Sequence, residues 1–230
     1  MTSAPRSPAT LFKIALFTSL IGLFTCLSGG VIGGRPALAQ GHAPAFVPLG
    51  ALERVQGEVT VWRGEMAIAA KTGDEVARGD TLSTAADSRL LLVFNDGTRL
   101  TLGERAEAFI EYFVYNPLKK RGAAFVDIVK GAFRFTSGRI RELSDKRIEV
   151  RAGSATFAAE GGDFWGGPID DGYGFLLITG RIEVRNDAGM VILQKKRVGS
   201  TFAKPGSAPD VPEPWSKERV GQAFATVAFK

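Results

Sequence analysis

One segment of the sequence, residues 73–102, constrains the fold more than any other. An apolar run at residues 90–94 and an alternating run at residues 98–102 flank the tripeptide Asn95-Asp96-Gly97. Glycine and Asn/Asp tolerate the positive φ angles that tight hairpin turns require, so this tripeptide between two strand-like runs predicts a β-hairpin. The fold must therefore contain a sheet that accommodates this hairpin.

Alternation of apolar and polar residues extends this interpretation to most of the chain. Residues 55–61 are apolar or glycine at every second position, and residues 109–115 are rich in β-branched and aromatic side chains. Period-two alternation is typical of half-buried strands, and strong helix signals are nearly absent before residue 205. These patterns predict an all-β fold of many short antiparallel strands, in a sandwich-like or an irregular solenoid-like arrangement.

Three aspartates are predicted to be structural. Asp80, Asp87 and Asp96 each lie beside glycine or serine in a turn-like context. A carboxylate in such a position can accept hydrogen bonds from nearby backbone N–H groups.

The last 26 residues differ from the strands before them. Residues 205–214 are rich in proline and serine and predict a linker. Ser216 is placed to cap a short C-terminal helix, on which Val220, Phe224 and Val227 would share one face. The alternative is a frayed tail that is packed onto the domain by Trp215.

The first 39 residues differ in kind from the rest. They contain three basic residues and no acid, and 21 uncharged residues separate Lys13 from Arg35. A basic start, an apolar core and the tripeptide Ala37-Leu38-Ala39 are typical of a secretory signal peptide cleaved between Ala39 and Gln40. An uncleaved membrane anchor is the alternative, because about 20 apolar residues are enough to span a bilayer.

Cleavage at this point leaves 191 of the 230 residues and lowers the formal charge from +5 to +2. We expect a flexible lead-in at residues 40–51, a β domain at residues 52–204 and a linker with a tail at residues 205–230. A charge near +2 does not indicate a nucleic-acid partner. The only cysteine lies in the signal segment and the only histidine, His42, lies in the lead-in, so thiol or histidine catalysis is not expected.

Two blocks of the sequence resemble the FecR-type domain of bacterial envelope proteins. The first, residues 55–102, has Gly-x-Val-x-Val at residues 57–61, Gly79-Asp80, Asp87-Ser88 and Phe94-Asn95-Asp96-Gly97-Thr98. The second, residues 148–199, resembles the family's closing half. There Glu160-Gly161-Gly162 stands where the family usually has Arg-Gly-Thr.

The resemblance implies an all-β envelope domain that serves binding and signalling rather than catalysis. Only 13 residues precede the apolar N-terminal stretch. We therefore expect a stand-alone periplasmic or secreted form without the family's cytoplasmic anti-sigma segment. The expected partner is an envelope protein or a glycan, no cofactor or metal is expected, and membrane contact is expected only through an uncleaved N-terminal segment.

A cluster of acids and aromatics in the second block is the candidate binding site. Its members are Glu160, Asp163, Trp165, Asp170, Asp171 and Tyr173, interspersed with glycines. On a glycine-rich loop these side chains could form a sugar-binding rim or supply oxygen ligands to calcium. The alternative is that Gly and Asp make turns while Trp165 covers the core.

Two further functions stay open at the level of sequence. A carboxylate-dependent glycan-cleaving enzyme would use Glu160 and Asp163, which must then face each other across a cleft. A membrane-anchored structural protein of the envelope would keep its N-terminal segment.

Overall fold

Alternating sequence patterns form strands over most of the chain in the computed structural model, which describes residues 46–170 and 172–230. The described residues contain sixteen strands, a short 3-10 helix at Arg139–Glu142 and one α-helix, α1, at Lys217–Ala225. The strands are β1 Pro48–Gln56, β2 Val59–Arg63, β3 Met66–Ala69, β4 Glu75–Ala77, β5 Asp80–Thr84, β6 Arg89–Phe94, β7 Arg99–Leu102, β8 Glu107–Asn116, β9 Arg121–Lys130, β10 Phe133–Thr136, β11 Asp145–Ala152, β12 Ala155–Ile169, β13 Gly172–Asn186, β14 Gly189–Leu193, β15 Val198–Phe202 and β16 Glu213–Pro214. The predicted all-β class is confirmed.

The strands form one mixed sheet that folds over itself. Its main path runs β3-β2-β5-β8-β9-β11-β12-β10-β7-β6-β1-β4, and β13 adds β14 and β15 beside β12. The strands from β3 to β11 on this path form one layer, and the strands from β10 to β4 form the other. The first half of β12 pairs with β11 and the second half pairs with β10, so β12 belongs to both layers. This arrangement is the sandwich-like form of the prediction.

Phenylalanines from the two layers fill the space between them. Phe94 on β6 stacks on Phe113 on β8 with ring centroids 4.3 Å apart. Phe157, on the first half of β12, contacts Phe175 on β13 edge to face at 5.6 Å. Burial of each such ring stabilises the fold by roughly 2–3 kcal/mol, so these contacts hold the layers together.

The central hairpin is confirmed. β6 and β7 pair antiparallel with Leu90 opposite Leu102 and Leu92 opposite Leu100, and all four side chains are buried. Gly97 has a φ angle of +85° in the turn, as the sequence predicts.

One strand pair departs from the antiparallel prediction. β11 lies parallel to β9, with Asp145 opposite Arg121 and Ala152 opposite Ile128. A parallel pair needs a crossover connection, which here passes through β10 in the other layer and the 3-10 helix. Strand patterns alone do not reveal this, because parallel and antiparallel strands share the same alternation.

Both ends of the described chain are more ordered than a lead-in and a frayed tail would be. β1 begins at Pro48, within the segment predicted as a lead-in. At the other end, the predicted helix is confirmed: the Ser216 hydroxyl caps α1 by accepting a hydrogen bond from the Arg219 N–H at 3.2 Å. Val220 and Ala223 on its inner face are buried.

Residues 1–45 and Asp171 lie outside the described residues. The predicted signal peptide, its cleavage site between Ala39 and Gln40, Cys26 and His42 all fall there and stay predictions. In the part of the chain that the structure describes, no helix is long and apolar enough to cross a membrane.

Candidate functional site

The glycine-rich candidate segment is not a loop. Residues 155–169 form the continuous strand β12, which a turn connects to β13. The pairing of β12 with β13 shifts register between Ala159 and Gly161 and again between Asp163 and Phe164. The predicted glycine-rich loop is therefore wrong. The glycines of this segment lie instead in a strand that belongs to both layers.

Two glycines show why the segment has this composition. Gly162 and Gly180 face each other across β12 and β13 with φ angles of +129° and +92°. A Cβ atom on Gly162 would lie 2.1 Å from the carbonyl oxygen of Thr179. Only glycine combines this backbone angle with so close an approach between strands.

The two acids of the glycosidase hypothesis are each bound to an arginine. Asp163 is buried and accepts two hydrogen bonds from Arg134, at 2.9 Å from Nε and 2.6 Å from Nη2. This bidentate bond raises the pKa of Arg134, which stays charged. Glu160 is exposed and pairs with Arg181. Asp163 is thus engaged on both oxygens and is not placed to touch a dissolved substrate.

The remaining acids of the cluster lie at the β12–β13 turn. Asp170 has a φ angle of +51° and forms an ion pair with Arg219 of α1, at 3.0 Å. Asp171 is outside the described residues. Within residues 46–170 and 172–230, no three His, Cys, Asp or Glu side chains are grouped so that they could hold a metal ion.

Trp165 is part of a second hydrophobic cluster rather than a binding surface. Its side chain is completely buried, and its Nε1 donates a hydrogen bond to Thr226 Oγ1 at 3.0 Å. Trp215 meets it edge to face at 6.1 Å, and Val220 of α1 joins the cluster. Trp165 therefore has no exposed ring face on which a sugar could stack, and the interpretation that it covers a core agrees with its position.

Tyr173 is the one described candidate residue that lines a cavity of about 410 Å³. Its side chain is partly buried, and its hydroxyl oxygen is shielded from solvent with no hydrogen-bond partner among the described residues. Burial raises the pKa of this phenol, so the hydroxyl stays protonated and remains a donor. The structure thus separates Tyr173 from the other four candidates that it describes, none of which lines this cavity.

A second feature was missed in the sequence: the exposed edge formed by β2 and β3. β3 is four residues long, and all four are exposed. Met66 is 62% exposed and Ile68 is 37% exposed, and Trp62 on the opposite face of β2 is 43% exposed. The signal was the short apolar run Met66–Ala69 directly after a Gly64-Glu65 turn, which is too short to stand out by periodicity.

A groove lies beside this edge. It has a volume of about 330 Å³, and Phe46 and Ile68 are among the residues that line it. The guanidinium of Arg63 lies 4.3 Å from the centroid of the Phe46 ring. It also forms a salt bridge with Asp80, in which Arg63 Nη2 lies 2.7 Å from Asp80 Oδ2. Asp80 itself is buried, so its role is structural, as predicted.

Comparison with known proteins gives one family match. The family model described as "FecR protein" matches residues 80–183. Over these residues the chain is similar to the FecR family. The match runs from β5 into β13, so it includes Tyr173 but not the β2–β3 edge.

Among solved structures, the chain is similar to two crystal structures of a candidate anti-sigma factor from Parabacteroides distasonis ATCC 8503. The identities are 16% and 17%, each with a TM-score of 0.49, over 61% of this chain and 62% of that chain. The chain thus spans somewhat less than two thirds of the protein it resembles. The comparison with curated proteins found no match.

Proposed function

We propose that this protein is an exported, non-enzymatic FecR-like domain that binds an envelope protein in a signalling role. We further propose that the β2–β3 edge is its contact surface. The proposal rests on one observation: β3 is an apolar strand that lies at the end of the sheet.

The backbone of β3 is suited to pair with an incoming strand. Among the described strands, β3 pairs only with β2, which leaves its outer row of N–H and C=O groups available. Sheet edges are usually protected by lysine, proline, a bulge or a covering element. Met66–Ala69 contains neither a charge nor a proline, and its pairing with β2 has no register shift. An extended segment of a partner could therefore add to the sheet through main-chain hydrogen bonds.

Side chains beside this edge offer specificity. Met66 and Ile68 project on the same face as the buried Val61, because Ile68 lies opposite Val61 and Met66 opposite Arg63 in the β2–β3 pairing. Ile68 and Phe46 line the 330 Å³ groove, and Met66 continues this apolar margin along β3. A strand with apolar side chains at alternate positions would match this margin, whereas a glycan would not use the backbone edge.

A non-enzymatic role is supported by the engagement of the carboxylates. Asp163 is bound by Arg134 on both oxygens, and Glu160 pairs with Arg181. The family match is consistent with a regulatory role.

Site-specific photo-crosslinking tests the contact surface. A photo-reactive residue in place of Met66 should give adducts with an envelope protein, identified by mass spectrometry, when the protein is mixed with the envelope fraction of its host. The control is the same residue in place of Leu118, which is 96% exposed in the β8–β9 turn, far along the chain from β3.

The variant Ile68→Lys should abolish the Met66 adduct, because a lysine on the edge strand opposes strand addition, while Leu118→Lys should leave it unchanged. Equal labelling from positions 66 and 118, or adducts only with glycan, would overturn the proposed surface.

Export has a separate test. The acid-free segment 1–39 supports cleavage after Ala39, so N-terminal sequencing of the protein isolated from cells should begin at Gln40. Recovery of the intact N-terminal segment in the membrane fraction would instead favour the anchored structural protein.

A further inference from the structure

The strand β14 forms another edge of the sheet. Among the described strands it pairs only with β13, and no backbone hydrogen bond from elsewhere in the described chain reaches residues 189–193. Its five residues, Gly-Met-Val-Ile-Leu, contain neither a charge nor a proline, and its pairing with β13 has no register shift. The sequence of β14 thus has none of the features that usually protect an edge from strand addition.

Both faces of β14 are apolar. Val191 and Leu193 face the core, because each lies opposite a buried residue of β13. Met190 and Ile192 alternate with them and face outward, and Met190 is 55% exposed. A strand that joined this edge would therefore contact apolar side chains on either face of the sheet.

The segment after β15 covers the core face of β14 and not its edge. The Cβ of Ala208 and the Cδ of Pro209 lie 3.2 and 3.4 Å from the point where a Cβ atom on Gly189 would be. Gly189 shares the core face with Val191, since side chains alternate along a strand. The outer N–H and C=O groups of β14 point instead along the plane of the sheet, in the direction of a neighbouring strand.

Charges of opposite sign lie just beyond the two ends of β14. Asp187 precedes the strand in the β13–β14 turn, and Lys195 follows it. Both residues are exposed, and neither forms an ion pair within the described chain. Each is four positions from Val191. The segment is therefore complementary in charge to a second copy of itself that runs in the opposite direction.

A two-fold axis at Val191 pairs β14 with the β14 of a second copy along its whole length. Met190 then lies opposite Ile192 of the second copy. Gly189 lies opposite Leu193 of the second copy, and Val191 lies opposite its own counterpart. Directly opposite residues of antiparallel strands share a face, so core-facing residues meet core-facing residues and outward-facing residues meet outward-facing ones.

The charges select this register over its neighbours. With the axis at Val191, Asp187 of each copy lies opposite Lys195 of the other, so the attraction occurs twice. An axis at Met190 would place Asp187 opposite the apolar Leu193. A closed dimer with two-fold symmetry requires a surface that is complementary to itself, and this segment meets that requirement.

We infer that two copies of this protein pair antiparallel through β14 about a two-fold axis at Val191 and form a symmetric dimer. The contact joins the sheets of the two copies into one. It involves few residues from each copy, so the dimer is weak, with a dissociation constant in the micromolar range. β3 is not part of this contact, so the inference does not depend on the proposed partner surface.

Sedimentation velocity of the purified protein over a series of concentrations tests the inference. The wild-type protein should change from monomer to dimer as its concentration rises through the micromolar range. Asp187→Lys and Lys195→Asp should each weaken dimerisation by at least about tenfold, because each places like charges opposite each other at both ends of the contact. Lys119→Asp, in the exposed β8–β9 turn, is the matched control and should dimerise as the wild type does.

Mixing the two charge variants makes the test specific. In a mixed dimer of Asp187→Lys with Lys195→Asp, a lysine lies opposite an aspartate at both ends, so an equimolar mixture should regain the wild-type affinity although neither variant dimerises well alone. Both positions are exposed, and each variant should keep the wild-type circular dichroism spectrum.

Photo-crosslinking reports the register. A photo-reactive residue in place of Met190 should give a crosslinked dimer, with the adduct mapped by mass spectrometry to Ile192 or its neighbours. The same residue in place of Leu118 should give no dimer.

Four results would overturn the inference. The first is a wild-type protein that stays monomeric at every concentration. The second is an equal effect of Asp187→Lys and of the control Lys119→Asp, and the third is a mixture that dimerises no better than its components. The fourth is a dimer that Ile68→Lys abolishes and the charge variants do not affect, since the copies would then pair through β3.

Discussion

Removal of the Asp96 carboxylate should destabilise the fold strongly. Asp96 is buried at the β6–β7 turn and accepts three hydrogen bonds. Two come from Thr98, from N–H at 2.7 Å and from Oγ1 at 2.9 Å, and the third comes from the N–H of Ile140 at 2.7 Å. The carboxylate thus joins the turn to the 3-10 helix 44 residues away.

The expected magnitude follows from these contacts. Hydrogen bonds to a charged group contribute roughly 1.5–3 kcal/mol each, and Asp96→Ala leaves two buried N–H groups without an acceptor. We therefore expect Asp96→Ala to lower the free energy of unfolding by about 3–5 kcal/mol, and Asp96→Asn, which keeps one acceptor oxygen, by about 2 kcal/mol.

Urea denaturation followed by tryptophan fluorescence measures this effect, because Trp165 and Trp215 are buried and report on unfolding. The matched control is Asp74→Ala. Asp74 also accepts a backbone hydrogen bond, from Lys71 N–H at 2.7 Å, but in an exposed turn, so its loss should cost at most about 1 kcal/mol. A loss below about 1.5 kcal/mol for Asp96→Ala, or equal losses for both variants, would refute the reasoning.

Three further predictions concern the strand crossing, the helix and the buried phenol. Gly162→Ala should cost more than about 2 kcal/mol, because its Cβ would collide with backbone, whereas Gly64→Ala, at φ +61° in open space, should cost about 1 kcal/mol; comparable midpoints in urea would contradict this. Ser216→Ala should lower stability by about 1 kcal/mol through loss of the Arg219 cap, and Ser216→Asp should restore it, as measured by thermal unfolding. Burial raises the pKa of Tyr173, so the unfolded chain releases this proton at a lower pH than the folded chain does. The free energy of unfolding should therefore be unaffected below about pH 10 and should fall above it by up to about 1.4 kcal/mol per pH unit. Tyr173→Phe should flatten that part of the stability profile, and an unchanged slope would count against the burial of the hydroxyl.

Local chemistry explains why part of the fold was predictable. The β6–β7 hairpin follows from the Asn95-Asp96-Gly97 tripeptide, and α1 follows from Ser216 and the spacing of its apolar residues. In both cases the residues that decide the conformation are within a few positions of each other. The structural role of Asp80 and Asp96 was predictable for the same reason, because each accepts a hydrogen bond from a nearby backbone N–H. Their contacts with Arg63 and Ile140 were not predictable in this way.

The candidate site was predicted poorly because its signals have two physical origins. Glycine and aspartate mark a loop when the backbone is solvated, but glycine is also required where two strands approach closely. Which applies to Gly162 depends on the Thr179 carbonyl of the facing strand. The exposure of Trp165 depends on α1 and on Thr226, about sixty residues later in the chain.

The sequence by itself determined what depends on neighbouring residues: the alternation of the strands, the hairpin at residues 90–102, the cap of α1 and the resemblance to the FecR domain. The tertiary structure alone decided what depends on distant segments. It placed Asp163 against Arg134, buried Trp165 under α1, left β3 at an edge and opened a cavity at Tyr173 between segments that are distant in the chain. The physical reason is that turn and cap energies are local, whereas burial and open space arise only when remote parts of the chain pack together.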